Sequence, residues 1–148
     1  MSDPEVHVAG LEGLDTRTAY ALWRLRESVF VVEQLCAYQE LDGRDLEPGT
    51  RHVWMAAPDG EPVAYLRVLD DGEPARIGRV LVAATHRRQG LAEALMRAAL
   101  ELVGDRPSLL DAQSYLVDWY TRLGYQPDGP EFLDDGIPHV PMRRSARG

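Results

Sequence analysis

The sequence predicts a mixed α/β fold of the α+β type, in which helices flank one central, mostly antiparallel sheet. Three apolar segments separated by turn residues lie between positions 51 and 83 and predict an antiparallel meander. An amphipathic helix over residues 90–103 and another apolar strand follow. This helix must therefore cross one face of the sheet and return the chain in parallel. The 148 residues contain no repeat, linker or low-complexity stretch, so we expect one domain, residues 1–148.

The N-terminal third predicts a strand, a helix and a loop. "EVHV" is a short alternating segment typical of a first strand. In "LDTRTAYALWRLRESVF", Asp15 or Thr16 can cap a helix. The apolar residues of that helix recur at helical spacing at Leu22, Leu25 and Val29. The long polar stretch that follows ends in turn residues and predicts a loop.

The remaining elements alternate between strands and helices. "RHVWMAA", "PVAYLRVL" and "ARIGRVLVA" predict the meander, and "SLLDA" predicts a short buried strand after helix 90–103. Gly124 suits the C′ position of the last helix. Pro138 and Pro141 exclude a central strand, so the tail "GIPHVPMRR" predicts an edge strand. The apolar face of helix 90–103 is predicted as Leu91, Leu95, Ala98 and Leu102, and that of the last helix as Leu116, Trp119, Tyr120 and Leu123.

Composition narrows the function classes. The net charge of -8 and the isoelectric point of about 4.9 argue against broad nucleic-acid binding, which needs a basic surface. The N-terminus has no signal-peptide layout and no apolar run approaches ~20 residues, so we expect a cytoplasmic protein without membrane association. Cys36 is the only cysteine, which excludes an internal disulfide and a zinc-finger ligand set; no metal is expected.

The stretch "VAATHRRQGLAEAL" has the chemistry of an anion-binding loop. The first N–H groups of a helix have no internal partners and lie at the positive end of its dipole. Gly90 allows close backbone approach, and Arg87 and Arg88 add permanent charge. The stretch therefore predicts a phosphate or diphosphate cradle, although a solvated helix start is the alternative for such a loop taken alone. It matches neither a Walker A loop nor a Gly-x-Gly-x-x-Gly motif.

Two motifs link this loop to a known family. "RRQGLA" resembles the acyl-CoA signature Gln/Arg-x-x-Gly-x-Gly/Ala of the GNAT N-acetyltransferases, and "VDWYTRLGYQ" resembles their aromatic-Tyr-x-x-Leu-Gly-Phe/Tyr segment. Gln113 lies where these enzymes often carry an Asn that touches pantetheine. "VFVVEQLCAYQELDGRDL", "AQSYLVDWYTRLGY" and "FLDDGIPHVPM" resemble the bacterial ElaA-type branch of the family. The resemblance implies the GNAT acyl-CoA N-acyltransferase fold.

The resemblance also implies acetyl-CoA as co-substrate and direct transfer of its acetyl group to an amine. Backbone N–H groups of residues 88–92 would bind the diphosphate, and Val80 and Val82 would pair with pantetheine like an added strand. Tyr120 matches the general acid that protonates the sulfur, although a packing tyrosine is the alternative on spacing alone. The implied coenzyme contacts are Val80, Leu81, Val82, Arg87, Arg88, Gln89, Gly90, Leu91, Ala92, Gln113 and Tyr120.

The acceptor side is predicted from the acidic loop Glu33–Glu47 and two histidines. A carboxylate there could anchor a cationic acceptor or take its proton, and Glu33 is the candidate base. The alternatives are a solvated acidic loop and structural histidines. Cys36 could carry an acyl group, but a lone thiol is more often inert. The candidate substrate-binding residues are Glu33, Gln34, Glu40, Asp42, His52 and His139.

Two other functions stay open. "RESVFVVEQLCAYQELDGRDLEPGTRH" also resembles the N-terminal part of acyl-homoserine-lactone synthases, which generally lack a clear Arg-x-x-Gly-x-Ala loop. The matching residues are Arg26, Phe30, Glu40, Asp42 and Asp45. A module that binds acetyl-CoA without turnover is the other alternative. The acceptor is a small-molecule or peptide amine of unspecified identity, and an edge strand near the tail would permit a homodimer.

Overall fold

The computed structural model describes residues 5–35 and 39–145, and Cys36 lies outside them. Eight strands of the described residues form one sheet in the order β1-β2-β3-β4-β5-β8-β6, with β7 also paired to β8. The strands are β1 Val6–Ala9, β2 Arg51–Ala56, β3 Pro62–Asp70, β4 Ala75–Val82, β5 Ser108–Gln113, β6 Gln126–Pro127, β7 Phe132–Asp134 and β8 Ile137–Arg144. The α-helices are α1 Thr16–Glu27, α2 Leu91–Val103 and α3 Val117–Thr121.

The sheet has the mixed topology that the sequence predicts. Strands β1 to β4 pair antiparallel in chain order, and β5 pairs antiparallel with β8. The pairing of β4 with β5 is parallel, so α2 crosses the sheet between them, as predicted. This parallel pairing involves only Ala75 with Ser108 and Arg76 with Leu109. Beyond these pairs the two strands separate, which creates an opening in the middle of the sheet.

Two helix starts follow the local signals in the sequence. The Asp15 carboxylate accepts a hydrogen bond from the Thr18 N–H at 2.7 Å and caps α1, so Asp15 rather than Thr16 is the N-cap. After α1, the chain continues as a π-helical segment, Ser28–Glu33. Gly90 is the N-cap of α2 with φ +78°, a left-handed conformation that glycine adopts at little cost.

Helices cover both faces of the sheet. On one face, α2 and Tyr120 of α3 pack against the buried side chains of the strands. On the other face, Leu22 and Val29 pack against Tyr65 and Leu81. The predicted apolar face of α2 is partly wrong, because Leu102 is exposed. The side chains of α2 that meet the sheet recur every four residues and form one row along the helix. That row consists of Leu91, Leu95, Ala99 and Val103.

The tail is wrongly predicted as an edge strand. Strand β8 lies between β5 on one side and the short strands β6 and β7 on the other. Each proline is in register with a strand on one side only: Pro138 with Leu133 of β7, and Pro141 with Asp111 of β5. A proline lacks the N–H donor but keeps its carbonyl, which at Pro141 accepts a hydrogen bond from the Asp128 N–H at 2.7 Å, so a strand position that uses only the carbonyl tolerates it. Gly124 has φ +100° after α3, as its predicted C′ position requires.

None of the helices in the described part of the chain is long and apolar enough to cross a membrane.

Candidate active site

The separation of β4 from β5 opens a cleft of about 950 Å³. Over residues 77–82, β4 is hydrogen-bonded to β3 on one edge, and its other edge faces this cleft. The Ala83 N–H donates to a β3 carbonyl at 2.7 Å. Backbone groups of successive strand residues point to opposite edges, so the neighbouring Val82 directs its carbonyl toward the open edge. One wall of the cleft is thus a strand edge that is not paired with another described strand.

A β-bulge lies on this wall. Arg67 is in register with Gly78 and Tyr65 with Leu81, so β4 has one residue more than β3 between these pairs. Within the bulge, Arg79 has φ +56°, a left-handed conformation that is uncommon for a residue with a side chain. A bulge breaks the regular alternation of a strand and re-aims its backbone groups, here at the side of the cleft.

The N-terminus of α2 forms a second wall. Gly90, Leu91 and Ala92 line the cleft, and no side chain of the described residues caps the helix. A Cβ at Gly90 would meet no atom of residues 5–35 or 39–145 within 4 Å, so the described structure leaves the space beside this backbone open. Arg88 also has a positive φ, +66°, which turns the loop before the helix. Unpaired N–H groups at a helix N-terminus, next to open space, are suited to binding an anion.

The structure brings the predicted coenzyme residue Arg87 into contact with the predicted base Glu33. The guanidinium donates from Nη1 and Nη2 to the two carboxylate oxygens at 2.6 and 2.8 Å. Its Nε donates to the Val82 carbonyl at 3.0 Å. Hydrogen bonding from Arg87 lowers the pKa of Glu33 below its ordinary value. Both side chains are 42% exposed, so this is a surface ion pair.

Tyr120 of α3 also lines the cleft. The residue is 6% exposed, and its ring packs edge-on against Trp119 and Tyr125, with centroids 4.8 and 6.1 Å away. Burial raises the pKa of its hydroxyl above the ordinary value of 10.0, so the phenol stays protonated. Among the described residues, no group is hydrogen-bonded to that hydroxyl. Gln113, the last residue of β5 and seven residues before Tyr120 in the chain, also lines the cleft.

Three candidate acceptor-binding residues also line the cleft: Gln34, Asp42 and His139. Burial would raise the pKa of Asp42, but hydrogen bonds from Arg67 outweigh burial and hold it well below its usual range. His139 stacks on Phe132 with a centroid distance of 5.7 Å, and its Nδ1 lies 2.7 Å from the Ile137 carbonyl.

Three predicted site residues do not line the cleft: Gln89, Glu40 and His52. Glu40 is buried against Arg26, which donates from Nε to its carboxylate at 2.7 Å. His52 is buried too, with Nδ1 2.7 Å from the Tyr65 hydroxyl, and burial lowers the pKa of its imidazole. A buried arginine requires carboxylate partners, which explains why the loop directs Glu40 inward.

Among the described residues, no group of three or more His, Cys, Asp or Glu side chains is arranged to hold a metal ion.

Comparison with known proteins identifies the family. The sequence matches the family model of the acetyltransferase (GNAT) domain over residues 16–146. The chain belongs to the GNAT acetyltransferase family. A UPF0039 protein of Mycobacterium tuberculosis is 52% identical over 139 residues, which cover 91% of this chain and 89% of that protein. ElaA of Escherichia coli is 41% identical over 138 residues, which cover 88% of this chain and 90% of ElaA.

Solved structures confirm the GNAT fold and the ElaA-type branch. The crystal structure of Escherichia coli ElaA has a TM-score of 0.91 and 39% identity, over 97% of this chain and 100% of that one. An acyl-CoA N-acyltransferase from Pseudomonas aeruginosa gives the same TM-score, identity and coverage. Membership of the GNAT family supports acyltransferase activity with an acyl-CoA donor. It does not identify the acceptor.

In this GNAT domain, several residues that line the cleft were not predicted from the sequence. Arg67 and Arg79 contribute guanidinium groups, and Tyr115 and Trp119 contribute aromatic surface. Arg67 is 4% exposed, within a strand whose other residues up to Leu69 are all buried. An arginine inside such an apolar strand is a signal that the sequence did contain, because buried arginine is rare unless it is paired.

Proposed function

We propose that this protein is an acetyl-CoA-dependent N-acetyltransferase that acetylates a primary amine of a small molecule or peptide. One observation carries the proposal: the open edge of β4, the uncapped N-terminus of α2 and the phenol of Tyr120 line the same cleft. Coenzyme A, when bound, would supply the acetyl thioester that the amine attacks directly. The family membership supports an acyl-CoA donor, and the cleft geometry supports the residue roles described next.

The chain's own residues fit the coenzyme. The N–H groups of residues 88–92 would bind the diphosphate, since Gly90 leaves the adjacent space free. Val80 and Val82 would hydrogen-bond the pantetheine arm along the free strand edge, with Leu81 between them anchored in the core. A backbone amide of β4 would polarise the thioester carbonyl, as an oxyanion hole does. Gln113 would contact the arm from the side of β5.

Tyr120 would donate the proton that the departing sulfur needs. Its buried hydroxyl remains in the protonated form over the working pH range, and no protein group among the described residues competes for it. Glu33 would bind the acceptor ammonium or take its proton through water. Gln34, Asp42 and His139 would contact the acceptor, since they line the cleft. Glu40, His52 and the side chain of Gln89 are not included in the proposed site.

A thiol-release assay tests the proposal. Purified protein is incubated with acetyl-CoA and a panel of polyamines, amino acids, aminoglycosides and N-terminal peptides, and products are checked by mass spectrometry for one added acetyl group. We expect amine-dependent thiol release. Binding of coenzyme A by calorimetry without any release would favour a non-catalytic module. Release only with an acyl carrier protein and S-adenosylmethionine would favour the synthase-like alternative.

A further inference from the structure

Arg87 is hydrogen-bonded to two groups that the proposed reaction needs. Its Nε hydrogen is donated to the Val82 carbonyl on the open edge of β4, at 3.0 Å. Its two terminal nitrogens donate hydrogen bonds to the two carboxylate oxygens of Glu33, at 2.6 and 2.8 Å. One guanidinium thus ties the loop before α2 to the strand edge and to the end of the π-helical segment.

This arrangement conflicts with the binding of both substrates. The Val82 carbonyl is one of the acceptors that a pantetheine amide would use, and the Arg87 side chain lies on the same edge. Both carboxylate oxygens of Glu33 are hydrogen-bonded to Arg87, which also offsets their charge, so Glu33 attracts an acceptor ammonium less strongly while this ion pair is intact. Its lowered pKa also makes it a weaker base while the pair is intact.

The ion pair between Arg87 and Glu33 is weak enough for a stronger anion to replace the Glu33 carboxylate. Both partners are 42% exposed, and pairs in that setting contribute on the order of 1 kcal/mol or less to stability. A diphosphate presents several anionic oxygens to the planar fork of an arginine, which binds such groups in bidentate fashion. The uncapped N-terminus of α2, three residues further along the chain, would hold that diphosphate within reach.

We propose that Arg87 is a positioning residue that exchanges Glu33 and Val82 for the diphosphate of coenzyme A. This inference depends on the proposed function. Coenzyme binding would withdraw the guanidinium, free the Val82 carbonyl for pantetheine and release the Glu33 carboxylate for the acceptor amine. The acceptor site is therefore completed only after the coenzyme is bound, and no bond other than hydrogen bonds and ion pairs is made or broken.

Calorimetric titration with coenzyme A tests the exchange. Glu33→Gln removes the competing carboxylate and should tighten coenzyme binding about fivefold, the scale of an exposed bidentate ion pair. Glu27→Gln is the matched control, because Glu27 is exposed, lies six residues earlier in the chain and does not line the cleft, yet gives the same change in net charge. This control should bind as the wild type does.

A double-mutant cycle separates exchange from simple charge repulsion. In an Arg87→Gln background, Glu33→Gln should change affinity less than twofold, because no guanidinium remains to be released. The Arg87 Nε–H resonance, assigned by its loss in Arg87→Gln, should shift when coenzyme A saturates the wild type. An equal gain in both backgrounds, or an unmoved resonance, overturns the exchange alone. Failure of the wild type to bind coenzyme A overturns the proposed function as well.

Discussion

Tyr120→Phe removes one hydroxyl and separates a catalytic role from a packing role. The hydroxyl has no hydrogen-bond partner among the described residues, whereas the ring contacts with Trp119 and Tyr125 remain in the variant. We therefore expect the free energy of unfolding to change by less than about 0.5 kcal/mol. Coenzyme affinity should also be retained, since the proposed diphosphate and pantetheine contacts are made elsewhere.

Turnover should respond differently. A positioned general acid contributes about 10²–10⁴-fold to a rate, so kcat for acetyl transfer should fall by at least about 10²-fold, or about 2.7 kcal/mol of activation free energy. The measurement is steady-state thiol release under saturating acetyl-CoA, on an amine that the wild type acetylates. In the wild type, loss of the phenolic proton should lower the rate only above pH 10, because burial raises the pKa of Tyr120 from 10.0.

Tyr125→Phe is the matched control. Its hydroxyl lies 2.7 Å from the Ser108 hydroxyl, and both residues are fully buried. Removing it leaves a buried polar atom without a partner, which costs about 1–3 kcal/mol of stability, while turnover should stay within about twofold. A wild-type kcat in Tyr120→Phe would refute the general-acid role. If Tyr120→Phe lost as much stability as Tyr125→Phe, the Tyr120 hydroxyl would have a hydrogen-bond partner in the folded protein, contrary to the structure of the described residues.

Other substitutions and pH test the packing around the cleft. Arg26→Met should lower the free energy of unfolding in urea by about 3–5 kcal/mol, because Glu40 and Asp45 lose a fully buried cation; a loss below about 1 kcal/mol would contradict this. Burial would raise the pKa of Asp45, but Arg26 outweighs burial and lowers it. The stabilisation from Asp45 is thus present above its unfolded pKa of about 3.9 and lost as pH falls through the lower folded value, which melting curves between about pH 5 and 2 should show. Gly90→Val should weaken coenzyme A binding at least ~10-fold in calorimetry, with circular dichroism confirming the fold; unchanged affinity would contradict the diphosphate cradle.

The parts of the fold that depend on local patterns could be predicted from the sequence. The Asp15 cap of α1 and the left-handed Gly90 before α2 are set by side-chain and backbone chemistry within a few residues. The parallel return of β5 follows from a crossover helix between two strands. The strand edge, loop and helix N-terminus of the proposed coenzyme side could be located from the sequence because they are consecutive in the chain; their role in binding the coenzyme stays a prediction.

The surroundings of the proposed acceptor-binding residues were less predictable because these residues come from distant segments. Whether a loop carboxylate faces solvent, a substrate or a buried cation depends on what it meets across the fold, and no local rule decides this. Glu40 is hydrogen-bonded to Arg26, and the position of Arg26 four residues after Leu22 indicates the same buried face of α1. The ion pair of Glu33 with Arg87 joins residues 54 positions apart, beyond any sequence pattern.

The loop over residues 39–50 owes its order to ion pairs more than to regular structure. Apart from the short turn Arg44–Leu46, it has no helix or strand, yet it holds two buried carboxylates. The cluster contains three guanidiniums and three carboxylates, from Arg26, Arg67, Arg79, Glu40, Asp42 and Asp45. Equal numbers of opposite charges offset the cost of burial only if every member is paired, so the cluster tolerates few rearrangements. Since Asp42, Arg67 and Arg79 also line the cleft, substitutions of these residues that change the proposed acceptor binding should also lower stability.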